Sequence, residues 1–73
     1  MGFKVRNWST TNARPFDVVF EDTQLNNVHY QPGVEFSTEE MAEKHRQALV
    51  NNFTNGSLDF IRSHWPTDGA VTE

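Results

Sequence analysis

Three histidines (His29, His45, His64) and two pairs of adjacent carboxylates (Glu21-Asp22, Glu39-Glu40) are the side chains in this 73-residue chain that could do chemistry. Imidazoles and carboxylates together can hold zinc and other transition metals. No two of these histidines have the spacing of ligands on one helix face, and no HExxH occurs. His45 falls on an apolar helical stripe, which predicts a partly buried, hydrogen-bonded imidazole rather than a ligand. The chain has no cysteine, which excludes thiolate zinc sites and disulfides alike. General acid–base catalysis needs a carboxyl in a cleft with a shifted pKa. Glu39 and Glu40 instead suit the first turn of a helix, where the dipole favours negative charge. None of the serines and threonines sits in a GxSxG elbow, and four scattered glycines make no phosphate loop. A chain this short also offers little room for a substrate pocket, which usually needs about 300 Å³ or more. The expectation is a protein with no catalytic residues, no metal and no cofactor.

The elements that carry these residues are legible in outline. "FKVRNW" alternates Phe3 and Val5 with Lys4 and Arg6, a half-buried strand. A polar loop, "STTNAR", leads to "PFDVVFED", where Pro15 is tolerated at a strand's entry. Phe16, Val18 and Phe20 share one face there, and Asp17, Val19 and Glu21 the other. Antiparallel pairing of these two strands sets basic residues against acidic ones. Leu25, Val28 and Tyr30 suggest a third short strand, closed by the turn-forming Pro32-Gly33.

"FSTEEMAEKH" then spells a helix start. Ser37 is the expected N-cap, Glu40 the capping-box partner and Phe36–Met41 the hydrophobic staple. Met41, His45, Ala48, Leu49 and Phe53 recur at helical spacing, so a helix is predicted over Thr38–Phe53, stopped by Gly56 as its C′ residue. "SLDFIRSHWP" alternates as a strand would. It equally suits a short helix with Leu58, Ile61 and Trp65 on one side, and the helix is preferred. The predicted fold is α+β: two or three antiparallel strands against one main C-terminal helix, with a second short helix possible. The predicted layout is one domain over residues 1–66 and a disordered tail over 67–73.

Composition narrows the function classes. A domain of this size buries only about 60% of its unfolded surface, and its core rarely supplies more than roughly 3–5 kcal/mol without a staple. No apolar run is long enough to span a bilayer, and no signal peptide or myristoylation pattern is visible. A cytoplasmic location is therefore expected, which leaves the three glycosylation sequons without meaning. Charge is partitioned. Residues 1–14 hold Lys4, Arg6 and Arg14 and no acid. Residues 15–43 hold Asp17, Glu21, Asp22, Glu35, Glu39, Glu40 and Glu43 and no lysine or arginine. Phe3, Lys4, Arg6, Trp8 and Arg14 interleave bases and aromatics, a pattern that can serve nucleic-acid stacking. The net charge of −4 and the absence of any RRM, KH or zinc-finger signature oppose that use. The acidic stretch suits either a solvated face or a docking surface for a basic partner.

Together, the opening "MGFKVRNW", the core "PFDVVFED" and the helix "STEEMAEKHRQALVNNF" resemble a small phage-encoded transcription regulator that binds bacterial RNA polymerase, of the Xanthomonas phage type. The resemblance covers the look of the whole chain and brings no residue-by-residue motif. It implies a non-enzymatic, cofactor-free protein of the host cytoplasm. Such a protein engages the β and β′ subunits near the start of β′, weakens σ-factor binding, blocks initiation and assists terminator read-through. From residue types alone, the expected partner contacts are Asp17, Glu21, Asp22, Glu39 and Glu43 for charge, with Trp8 and Tyr30 as aromatic anchors. A monomer is expected, with no sequence-specific nucleic-acid or membrane binding. The rivals are an acidic DNA mimic, a histidine-based metalloenzyme and a small virion structural protein.

Overall fold

The period-2 segments fold as β1 (Gly2–Asn7), β2 (Phe16–Asp22) and β3 (Asn27–Tyr30), followed by α1 (Glu39–Asn51) and α2 (Ser57–His64). This computed structural model describes residues 1–71. The strands form one antiparallel sheet in the order β1-β2-β3, so the fold is α+β as expected. Phe3 lies opposite Phe20 and Val5 opposite Val18, which gathers the apolar set on one face. On the other face Arg6 meets Asp17, the one rung where the anticipated unlike charges oppose each other; Lys4 faces Val19 instead. Leu25 is not a strand residue. It lies half-exposed in the β2–β3 turn, where Asn26 takes the left-handed conformation (φ 55°) that asparagine tolerates.

Helix α1 begins one residue later than its letters suggest. Phe36 bridges to Phe16: Phe36 N–H donates to the Phe16 carbonyl (2.7 Å), and Phe16 N–H to the Phe36 carbonyl (3.1 Å). That bridge holds Phe36 in extended backbone, so Thr38, not Ser37, is the N-cap. Thr38 Oγ1 accepts from Met41 N–H at 3.2 Å. The shift dissolves both predicted devices. With Thr38 as cap, the third helical residue is Met41 rather than Glu40, so no capping box forms. The residue before the cap is Ser37, so no staple forms either. Phe36 packs on the His45 ring instead (centroids 5.3 Å), and Met41 stays 49% exposed.

The C-terminal end also differs from expectation. The helix stops at Asn51, and Gly56 is the residue before α2 rather than a C′ glycine. Phe53, beyond the helix, stacks on Phe20 (6.0 Å) and meets Phe3 edge-on (5.8 Å). Segment 57–64 is helical, with Ile61 and Trp65 buried. These two and Phe20 form the core, with Phe3, Leu49 and Leu58 packed against them. Each helix has one fully buried residue, Ala42 in α1 and Ile61 in α2, and Trp65 follows α2 as its C-cap.

The segment expected to be a disordered tail is instead paired with the sheet through residue 69. Tyr30 N–H donates to the Pro66 carbonyl (3.0 Å), Asp68 N–H to the Val28 carbonyl (2.7 Å) and Val28 N–H to the Gly69 carbonyl (2.9 Å). β3 has unpaired backbone groups on its outer edge, and these contacts satisfy them. The remainder of that prediction, at 72 and 73, lies outside the described residues.

Candidate interaction surface

The acids named from the sequence divide by whether an arginine already holds them. Asp22, at the end of β2, faces the core and has no exposed surface. Arg62 of α2 grips it as a fork, Nε to Oδ2 at 2.6 Å and Nη2 to Oδ1 at 3.0 Å. Leu25 N–H adds a third bond at 3.3 Å. The Arg62 guanidinium holds the Asp22 carboxyl far below the usual carboxylate range, against the opposing cost of burial. His29 packs beside it, 2% exposed, with Nδ1 3.4 Å from the Trp65 carbonyl. His29 Nε2 lies 3.4 Å from Asp22 Oδ2, yet is poorly aligned and without a hydrogen-bond partner. Asp22 is therefore a structural clamp between β2 and α2 and no surface contact.

Asp17 is 5% exposed and is gripped by Arg6 from the neighbouring strand, Nε to Oδ1 at 3.1 Å and Nη2 to Oδ2 at 2.8 Å. On α1, Glu43 receives Arg46 in the same forked manner at 2.7 and 2.6 Å, and Arg46 draws its carboxyl downward. These three carboxylates were expected to meet a basic partner, but each spends its charge inside the chain. Glu21 is half-buried at the outer sheet face near Lys4, and Glu39 is exposed in the first turn of α1. The five predicted acids thus form no common surface.

The two predicted anchors do converge. Trp8 and Tyr30 line one groove on the outer sheet face, together with Arg6, Asp17, Val34 and Glu35, around a volume of about 360 Å³. Trp8 continues the outward alternation of Lys4 and Arg6, and its backbone N–H donates to the Pro15 carbonyl at 2.8 Å. The Pro32-Gly33 turn, with Gly33 left-handed at φ 77°, folds Val34 and Glu35 back beside Tyr30. The paired C-terminal segment brings Asp68 to the same rim, where its Oδ2 accepts from Arg6 Nη1 at 2.6 Å. One guanidinium against three carboxylates (Asp17, Glu35, Asp68) leaves the groove two charges to the negative.

That volume is larger than chain length suggested and reaches the range of small-ligand sites. Its lining is a mixture of aromatic and charged side chains. Among the described residues no histidine, serine or cysteine lines it, and Asp17 is committed to Arg6 in both oxygens. Glu35 was anticipated only as one acid of the 15–43 stretch, not among the named contacts, and Asp68 was not anticipated at all. Glu35 is placed by a loop turn, and Asp68 by an edge pairing for which the sequence "TDGAV" carries no strand pattern.

The histidines do not meet. His45 Nε2 lies 2.8 Å from Gln31 Oε1, as a hydrogen-bonded, partly buried imidazole. His64 stacks on Phe60 at 4.3 Å, and His29 is in the core. Among the described residues no three His, Cys, Asp or Glu side chains are grouped to hold a metal ion, and no helix is long and apolar enough to cross a membrane. Comparison with protein families, curated proteins and solved structures returned no match to the chain.

Proposed function

We propose that this chain is a non-enzymatic regulator of phage type that docks on the β and β′ subunits of host RNA polymerase. It weakens σ-factor binding and thereby inhibits initiation, with terminator read-through as a second consequence. Support comes from the resemblance of the chain and from one observation, the Trp8–Tyr30 groove with its surplus negative charge. Aromatic side chains at the centre of a contact dominate binding energy, and acidic surroundings select a basic partner surface. The groove also redefines the contact set. Trp8, Tyr30, Glu35 and Asp68 belong to it, Glu21 and Glu39 steer at a distance, and Asp17, Asp22 and Glu43 are each already paired with an arginine.

Capture of purified core polymerase by the immobilised chain tests this reading. Core enzyme is expected on the resin, with σ-saturated holoenzyme retained less. Polymerase subunits left in the flow-through would remove the proposal. The DNA-mimic alternative needs acids spaced as free phosphates, and the three arginine-forked carboxylates weigh against it.

A further inference from the structure

We infer that the Trp8–Tyr30 groove is a receptor for an arginine side chain presented by the protein partner. The inference rests on the docking reading above and specifies the chemistry of its central contact. One guanidinium is already part of the groove's lining. Arg6 makes a two-point fork to Asp17, and its third nitrogen bonds Asp68. Forked carboxylate pairing and flat stacking on aromatic rings are the two modes by which guanidinium groups, more than ammonium groups, are held.

What Arg6 leaves unused is the same set of elements again. Trp8 is 38% exposed, and its indole stands open at the rim. Tyr30 forms part of the wall. Asp68 accepts through Oδ2 alone, with its side chain 56% exposed, and Glu35 is exposed and forms no ion pair among the described residues. A net two negative charges beside two aromatic rings, in a groove of about 360 Å³, complement one planar cation and the extended backbone that carries it. A neutral or acidic segment would leave those charges facing it unpaired. Lysine fits the charge but forgoes the fork and the stacking.

The test uses the isotope-labelled full-length chain and two probes, N-acetyl-arginine amide and its neutral isostere N-acetyl-citrulline amide. The arginine probe is expected to shift the Trp8 indole N–H and the Gly33–Glu35 amides saturably, at millimolar concentration and less at high salt. The citrulline probe is expected to leave them in place. Equal shifts from both probes, or none from arginine, overturn the inference. In parallel, Trp8→Ala and Glu35→Lys, each checked for an unchanged amide spectrum outside the groove, are expected to weaken polymerase capture about tenfold. Capture at wild-type strength by both variants overturns the groove assignment and leaves the polymerase reading standing. Arginine-specific shifts in a chain that captures no polymerase support the groove and remove the polymerase reading.

Discussion

Replacing Asp22 by alanine removes the acceptor for three hydrogen bonds, two of them from Arg62. Removing one partner of a buried ion pair costs about 3–5 kcal/mol. Asp22 has no accessible surface, but the domain is thin and Arg62 keeps about a quarter of its side chain in water, so the freed guanidinium can rehydrate. The low end, about 3 kcal/mol, therefore applies to Asp22→Ala. A chain of this length has a total stability of roughly 4–11 kcal/mol. At about 4–8 °C per kcal/mol for a domain of this size, the melting temperature should fall by about 12–24 °C at pH 7. Differential scanning calorimetry reads this directly. Asp22→Asn keeps the volume but loses the charge, and should recover only part of the difference.

The pH dependence has a definite sign. Arg62 holds the Asp22 carboxyl below its unfolded value of 3.8, so its contribution is complete above that pH and is lost as pH falls through and below it. Arg62→Met reverses the behaviour. It strands a buried carboxylate at pH 7, and protonation relieves that penalty. The deficit of Arg62→Met relative to the parent chain should thus narrow between pH 7 and pH 3. A deficit of constant size, or a melting temperature for Asp22→Ala within about 4 °C of the parent, would refute the clamp.

Two further expectations concern the elements around the groove. Thr38→Ala should cost about 1 kcal/mol by urea denaturation, because it removes the α1 cap, whereas Ser37→Ala should be nearly neutral. The opposite order would return the cap to Ser37. Ending the chain after Trp65 removes the acceptors at Pro66 and Gly69, so the Val28 and Tyr30 amides should exchange with solvent much faster than their β2-paired neighbours. Unchanged protection would show that the C-terminal segment does not cover the edge of β3.

Much of the fold was legible because it is written in short-range periodicity. The alternation of Phe3, Val5, Phe16, Val18 and Phe20 names the buried sheet face without reference to anything distant. The exact start of α1 was not legible, because it is decided by Phe36 pairing with Phe16, twenty residues away in the sequence. The candidate site divides in the same manner. Trp8 and Tyr30 stand out by type, and both belong to the groove. Glu35 and Asp68 reach it only through a left-handed glycine turn and an edge pairing of the C-terminal segment. The acids divide into arginine-paired and unpaired members for a related reason. Sequence gives the sign of Asp22 and Glu43 but not the fork from Arg62 or Arg46. The Asp22–Arg62 contact, 40 residues apart, has no local signature at all.

Charge that is counted in a sequence is therefore not charge that a partner meets. Forked pairing of Asp17, Asp22 and Glu43 with Arg6, Arg62 and Arg46 leaves the net charge of −4 untouched but moves its location. Of the acids between residues 15 and 43, Glu39 and Glu40 remain at the start of α1, where the helix dipole partly offsets them. Glu21 sits near Lys4. Among the described residues Glu35 forms no ion pair, and it stands beside the two aromatic side chains and the partly satisfied Asp68. The long-range field, which sets encounter rate and fades with salt, is thus spread over the whole molecule. Short-range complementarity, which sets residence time, is concentrated in one groove. On the proposed docking reading, a charge change at Glu39 and one at Glu35 are equal in the net count but act on different rate constants, and that separation follows from where the three arginines are placed.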